Sequence, residues 1–154
     1  MSPAIAQPQI QLRRARPDDC VRVWEWNFAP DVRAVSRDAR TVTFTEHARW
    51  YERRLARTAE PMWVVLDARV PVGIVRLDRI GGAGDVARIS IALAARARGK
   101  GVGRRALAAA CLAWNRPIVA EILATNTASR ACFEACEFEA AYERGGVVTY
   151  HWSP

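Results

Sequence analysis

The sequence predicts a mixed α/β domain in which a central sheet of about seven strands is flanked by about four helices. Three observations carry this prediction. Apolar residues recur with a period of two in some stretches and with the helical period in others, in the order β-α-α-β-β-β-α-β-α-β-β. A strand, a glycine loop and a helix follow one another directly between Asp85 and Trp114. The chain has 154 residues of which 51% are hydrophobic, enough to bury one proper core.

Residues 1–9 read as a flexible N-terminal tail and residues 10–154 as a single domain without repeat or linker. Ile10 to Arg14 alternates and forms the first strand. Pro17-Asp18-Asp19 opens a helix, since proline's missing N–H costs little there. That helix carries Cys20, Val21, Val23 and Trp24, and the run Trp24 to Pro30 breaks it into a loop through Arg33, Ser36 and Arg37. Thr45 can cap a second helix from Glu46 to Arg57, with Phe44, Ala48, Tyr51 and Leu55 as its apolar stripe. Met62 to Leu66 and Val70 to Leu77 are strands joined at Asp67-Ala68-Arg69, and the glycine-rich residues 81–84 form a flexible turn into the strand Val86 to Leu93. After the helix that follows come a strand from Pro117 to Leu123 and a short helix from Asn126 to Cys136. The strands Phe138 to Tyr142 and Val147 to Trp152 then pair about Gly145-Gly146.

Composition excludes several functions. No apolar run is long enough to span a bilayer, and the start MSPAIAQPQ lacks the charged and apolar regions of a secretory leader. Cys20, Cys111, Cys132 and Cys136 have no metal-ligand spacing, and His47 and His151 are the only histidines, so no metal is expected. Reduced cysteines point to the cytoplasm. The net charge of +7 is almost wholly arginine, with Lys100 the single lysine. Such a balance suits an anionic ligand: the phosphates of CoA, a nucleotide diphosphate or nucleic acid. The arginines are spread along the chain rather than clustered, which argues against nucleic acid.

The glycine loop has a physical use. Glycine lets the backbone turn and approach a ligand closely, and the unpaired N–H groups of the following helix then face that ligand with the positive end of the dipole behind them. Lys100, Arg104 and Arg105 add charge at the same place. No Ser or Thr follows Lys100, as a nucleotide P-loop requires, and Arg104 stands where a dinucleotide fingerprint needs its third glycine. The pattern that holds is Arg-x-x-Gly-x-Gly at Arg98, Gly101 and Gly103. It resembles the loop with which GCN5-related N-acetyltransferases (the GNAT family) bind the pyrophosphate of acetyl-CoA. A second stretch, Asn126-x-x-Ser129-x-x-x-Phe133-x-x-x-x-Phe138, resembles the family's Asn-x-x-Ala/Ser-x-x-x-Tyr-x-x-x-Gly-Phe signature, and the element order over residues 10–152 is similar throughout.

The resemblance implies an acetyl-CoA-dependent N-acetyltransferase in which the amine attacks the thioester directly. It places the cofactor on Arg98, Gly99, Lys100, Gly101, Val102, Gly103 and Arg104, and on backbone groups of Ile91, Ala92 and Leu93. It also lays the helix face Asn126, Arg130 and Phe133 along the CoA arm, with Asn126 bonding pantetheine. Two departures stand out. Phe133 lacks the hydroxyl of the family's tyrosine, which can protonate the leaving thiolate, and Glu137 replaces the usual glycine, implying a different turn into the hairpin. Glu121 and His47 are the candidate general bases; an Arg-paired edge carboxylate and a packed helix histidine are their structural alternatives.

For the acceptor, Trp24, Asn27, Arg33, Ser36, then Glu46-His47-x-x-Trp50-Tyr51, resemble one subgroup. Its members acetylate the 4-amino group of nucleotide-linked amino-deoxy sugars in pseudaminic acid biosynthesis. Aromatic faces can stack on sugar or base rings, and Arg33 and Arg76 can meet a diphosphate. Expected acceptor contacts are therefore Trp24, Asn27, Arg33, His47, Trp50 and Arg76, whereas Tyr51 sits on the apolar stripe and belongs to the core. The rivals are a protein N-terminal or small-amine acetyltransferase and a non-catalytic acyl-CoA-binding regulator. Family members often dimerise, so the resemblance also raises a homodimer.

Overall fold

The computed structural model describes residues 9–81 and 85–154. The expected tail at 1–9, apart from residue 9, and the expected turn at 81–84, apart from residue 81, lie outside the described residues. Seven strands, β1 (Ile10–Arg14), β2 (Met62–Asp67), β3 (Val70–Arg79), β4 (Ala87–Leu93), β5 (Ile118–Leu123), β6 (Glu139–Arg144) and β7 (Val147–Trp152), form one sheet in the order β1-β2-β3-β4-β5-β7-β6. Every neighbouring pair is antiparallel except β4 and β5, which run parallel. A parallel pair needs a crossover, and the helix α4 (Val102–Trp114) supplies it.

Both faces of the sheet are covered, and strand periodicity assigns the side chains. On β2 and β3, Val64 and Ile74 face one core with Val23 of α1 (Cys20–Phe28) and Tyr51 of α3 (Phe44–Leu55). Val65 and Val75 face the other core with Val102, Leu107, Cys111 and Trp114 of α4 and Phe133 of α5 (Thr127–Ala135). Adjacent residues pointing to opposite faces is the two-residue period of a pleated strand. The sheet is therefore sandwiched, and its inner strands β2 and β3 read as largely apolar sequence, whereas the edge strand β6 is exposed along its length.

The expected seven strands are present, but the described chain has five α-helices rather than four, because the expected loop through Arg33 begins with α2 (Pro30–Ala34). Pro30 cannot continue α1 but suits the first position of a new helix. The cap of α3 is Thr43 and not Thr45. Its Oγ1 accepts from the Glu46 N–H at 3.2 Å and Glu46 Oε2 accepts from the Thr43 N–H at 3.0 Å, a reciprocal capping box. The buried residues of α3 are His47, Tyr51 and Arg54, while Phe44 of the expected stripe is exposed. Turn chemistry follows the sequence at Gly145 and Gly146 (φ 57° and 76°), which close the β6–β7 hairpin in the left-handed conformation that two-residue hairpin loops prefer.

Candidate active site

The sheet opens between β4 and β5. These strands pair only at Ala87–Ile118 and Arg88–Val119, while on its other side β4 stays paired with β3 as far as Leu93. Past Arg88, the β5-facing edge of β4 has no strand partner, so an extended amide-bearing group can lie there as an added strand. The opening leads into a cavity of about 1250 Å³. Its walls are the diverging strand ends 88–93 and 120–123, the loop into α4, one face of α5, and residues of α1, α2 and α3.

One end of the cavity is built for anions. Gly99 and Gly101 have φ of 72° and 75°, and Gly101 is the N-cap of α4, contributing no side-chain cap. The first helical bond runs from the Arg105 N–H to the Gly101 carbonyl at 3.2 Å, so the N–H groups of Val102, Gly103 and Arg104 precede the helical ladder. Gly103 answers a packing demand: a Cβ there would lie 3.3 Å from Leu93 Cδ1 and 3.5 Å from Cys132 Sγ. Arg98 donates to the Leu93 carbonyl at 3.0 Å and also pairs with Asp31. Arg104 lines the cavity too, whereas Lys100 does not.

The other end combines arginines with aromatic rings. The Arg33 guanidinium lies over the Phe28 ring at 4.7 Å and that of Arg76 over the Trp50 ring at 5.2 Å. Arg33 donates to the Asp38 carbonyl at 2.7 Å, but its Nε is buried with no hydrogen-bond partner among the described residues. Burial lowers the Arg33 pKa, with the nearby Asp38 opposing and the Arg76 charge adding to the fall. Arg76 is steered by Asp78, whose Oδ2 accepts from its Nε at 2.9 Å; Oδ1 accepts from Nε of the buried Arg54, also at 2.9 Å.

Glu121 stands between the two ends, on the diverging part of β5. It pairs with Arg37 and, at 3.5 Å, with Arg88. His47 is 2% exposed, with ring contacts to Phe28, Phe44, Trp50 and Tyr51. Its Nε2 lies 2.9 Å from the Cys20 carbonyl, which can only accept, so Nε2 carries the proton. Burial holds the His47 pKa below the ordinary value, with the carbonyl bond opposing. Phe133 is buried against Phe138 and reaches the cavity with no polar atom.

A family model described as "Acetyltransferase (GNAT) domain" matches residues 9–139. The chain belongs to the GNAT acetyltransferase family. As a GNAT enzyme it is an acetyl-CoA-dependent N-acetyltransferase, and the split sheet and uncapped α4 N-terminus fit that cofactor. Its fold is shared with solved structures of low identity. A spermidine N-acetyltransferase from Vibrio cholerae in complex with CoA and spermine is similar at a TM-score of 0.81 and 20% identity, over 94% of this chain and 95% of that one. An aminoglycoside acetyltransferase in complex with coenzyme A gives 0.80 and 17%, over 94% and 95%. A ribosomal-protein-alanine N-acetyltransferase from Brucella melitensis gives 0.77 and 21%, over 94% and 99%. Among curated protein sequences none matches the chain. No described helix is long and apolar enough to cross a membrane.

In this GNAT enzyme the cavity gathers Asn27, Arg33, His47, Trp50, Arg76, Ile91, Ala92, Leu93, Arg98, Gly99, Gly101, Val102, Gly103, Arg104, Glu121, Asn126 and Phe133 from the sequence reading. It leaves out three others. Trp24 turns away, its Nε1 donating to the Val42 carbonyl at 3.5 Å and its ring meeting Phe44. Arg130 bonds the Tyr150 hydroxyl at 2.9 Å and the Ala124 carbonyl at 3.1 Å, tying α5 to β7. Of the expected face Asn126–Arg130–Phe133, Asn126 and Phe133 line the cavity and Arg130 does not; Asn126 (φ −82°, ψ 72°) is the cap of α5, its Oδ1 accepting from the Ser129 N–H at 3.2 Å. Lys100 is the third.

Asp31, Arg37 and Arg88 line the cavity without having been singled out for it. Arginines spread in sequence converge in space: Arg33, Arg37, Arg40, Arg76, Arg88, Arg98 and Arg104 face only Asp31, Asp38, Glu46 and Glu121. No sequence spacing signals that convergence; the topology creates it.

Proposed function

We propose that this enzyme acetylates the amine of a nucleotide-linked amino-deoxy sugar. The supporting observation is the Arg33–Arg76 pair. Two guanidiniums lining one cavity, each on an aromatic face and one with a buried Nε that has no partner among the described residues, favour an acceptor bearing a diphosphate beside a ring. A polycation would meet seven lining arginines against four carboxylates.

In this reading the N–H groups at the start of α4, with Arg98 and Arg104, hold the cofactor's pyrophosphate. The free edge of β4 at residues 91–93 and the amide of Asn126 align its arm. Bound there, acetyl-CoA supplies an activated acyl carbon. Glu121 takes the proton of the acceptor ammonium, freeing the nitrogen to attack, and solvent protonates the departing thiolate because Phe133 has no hydroxyl. The free thiols of Cys20, Cys111, Cys132 and Cys136 suit a reducing cytoplasm.

The test is CoA release from acetyl-CoA with a UDP-linked 4-amino-4,6-dideoxy sugar set against peptide and polyamine panels. Release with the sugar, an acetyl mass on the product and a KM raised about tenfold by Arg76→Ala are expected, the scale of one charge-assisted contact. Release only with peptides or polyamines would sink the sugar reading, and tight acetyl-CoA binding without turnover of any amine would point to a binding regulator.

A further inference from the structure

The short segment after α1 touches both halves of the cleft through opposite charges. Asp31, early in α2, pairs with Arg98 of the glycine loop. Arg37, just past the same helix, pairs with Glu121 at the diverging end of β5. The side chains of Asp31 and Arg37 are 55% and 56% exposed, so the core requires neither. Each partner is one that the proposed function assigns to a substrate: Arg98 to a phosphate and Glu121 to the acceptor ammonium. A carboxylate sits where an anion is to bind, and a guanidinium sits where a cation is to bind.

We propose that residues 30–37 form a strap that links the two halves of the cleft by imitating both substrates. Asp31 stands in for a cofactor phosphate on Arg98, and Arg37 stands in for the acceptor amine on Glu121. Because both contacts belong to one short segment, loss of either loosens the other. A phosphate that takes Arg98 from Asp31 thereby frees Glu121, and the acceptor site opens after the cofactor has bound. Coupling of this kind is reciprocal, so an amine on Glu121 also favours the cofactor. The proposal rests on the reading of Arg98 as a phosphate ligand.

Electrostatics without a strap makes a different prediction, which provides the test. CoA is titrated calorimetrically onto the wild-type protein and onto Asp31→Asn, Arg37→Gln and Arg98→Gln, with melting temperatures to confirm folding. Both models expect Asp31→Asn to tighten CoA. They part at Arg37→Gln. Removing a positive charge from the cavity should weaken a polyanion if charge alone matters, whereas releasing the strap should tighten it. We expect Arg37→Gln to lower the CoA Kd about threefold at low salt, the scale of one exposed ion pair, and the gain to shrink as salt screens that pair. An unchanged or higher Kd in Arg37→Gln, with Arg98→Gln clearly weakened, would overturn the strap and leave the cofactor reading intact. An unaffected Kd in Arg98→Gln would overturn both.

Discussion

The Phe138 N–H donates to the Phe133 carbonyl at 3.1 Å while the two rings meet edge to face, their centroids 4.9 Å apart. Together with the Glu137 N–H to Glu134 carbonyl bond at 3.0 Å, this is a Schellman closure of α5, with its usual apolar contact across the turn. Glu137 occupies the left-handed position at φ 67°. The chain thus makes the turn that glycine would make, contrary to the different turn its sequence suggests, and the cost is backbone strain at one residue.

Glu137→Gly should relieve that strain. A non-glycine residue in the left-handed region costs about 1 kcal/mol, which for a domain of this size raises Tm by about 3 °C. Thermal unfolding measures it, and no change in CoA affinity should accompany it. A lower Tm would mean that the Glu137 side chain stabilises the turn in some way that outweighs its backbone.

The glycine motif and the order of elements along the chain were legible because they are local: Arg98, Gly101 and Gly103 lie close together in sequence, and helices and strands carry their own periodicity. The acceptor half was only partly legible. Arg33 and Trp50 stood out as residue types, but whether a long side chain turns toward the cavity depends on partners distant in sequence. Arg130 turns away because Tyr150 offers a hydroxyl, and Trp24 because the Val42 carbonyl lies beside it. Asp78 was invisible as a positioning group because its two arginine partners come from different elements, Arg54 on α3 and Arg76 on β3.

Gly101→Asp should cripple cofactor binding. The position needs φ near 75°, and a carboxylate there would face the pyrophosphate at the head of α4. Strain of about 1 kcal/mol plus like-charge repulsion predicts a CoA Kd raised at least tenfold, with Gly101→Ala carrying the strain alone and a smaller loss. Calorimetry separates the two effects, and wild-type affinity in Gly101→Asp would remove this loop from the cofactor site.

Asp19 makes stability fall in acid. It is 1% exposed and accepts from Arg13 at 2.7 and 2.9 Å, from Arg22 at 2.9 Å and from the Arg16 N–H at 2.8 Å. Burial pushes its pKa up, but Arg13, the Arg16 amide and Arg22 outweigh burial and hold it below the usual value. Its contribution is therefore full above the unfolded-state pKa of about 3.9 and is lost as pH falls through the lower folded value. Asp19→Asn should cost about 3 kcal/mol at neutral pH, the scale of a broken buried pair, and flatten the acid limb of a denaturation-versus-pH curve. An unaltered acid limb would assign that slope to other carboxylates such as Asp78.

His47 packs among four aromatic rings, and its titration checks whether it also takes part in catalysis. Its folded pKa lies below 6.5, so the stability its neutral form contributes is present above about pH 6.5 and declines as pH falls from there toward the folded value. His47→Gln keeps a donor for the Cys20 carbonyl while removing both the titration and the ring packing. It should lower stability by about 1–2 kcal/mol, remove the dependence of stability on pH just below 6.5, and leave kcat within about threefold of wild type. Glu121→Gln, by contrast, should lower kcat by about a hundredfold or more without weakening CoA binding, since it loses the group that takes the amine proton. The two variants compared in one pH–rate series decide between the residues. If His47→Gln loses a hundredfold in kcat with an intact fold, then Nδ1 of His47 is reached by the acceptor despite its burial, and Glu121 is left as an ion-pair partner of Arg37 and Arg88.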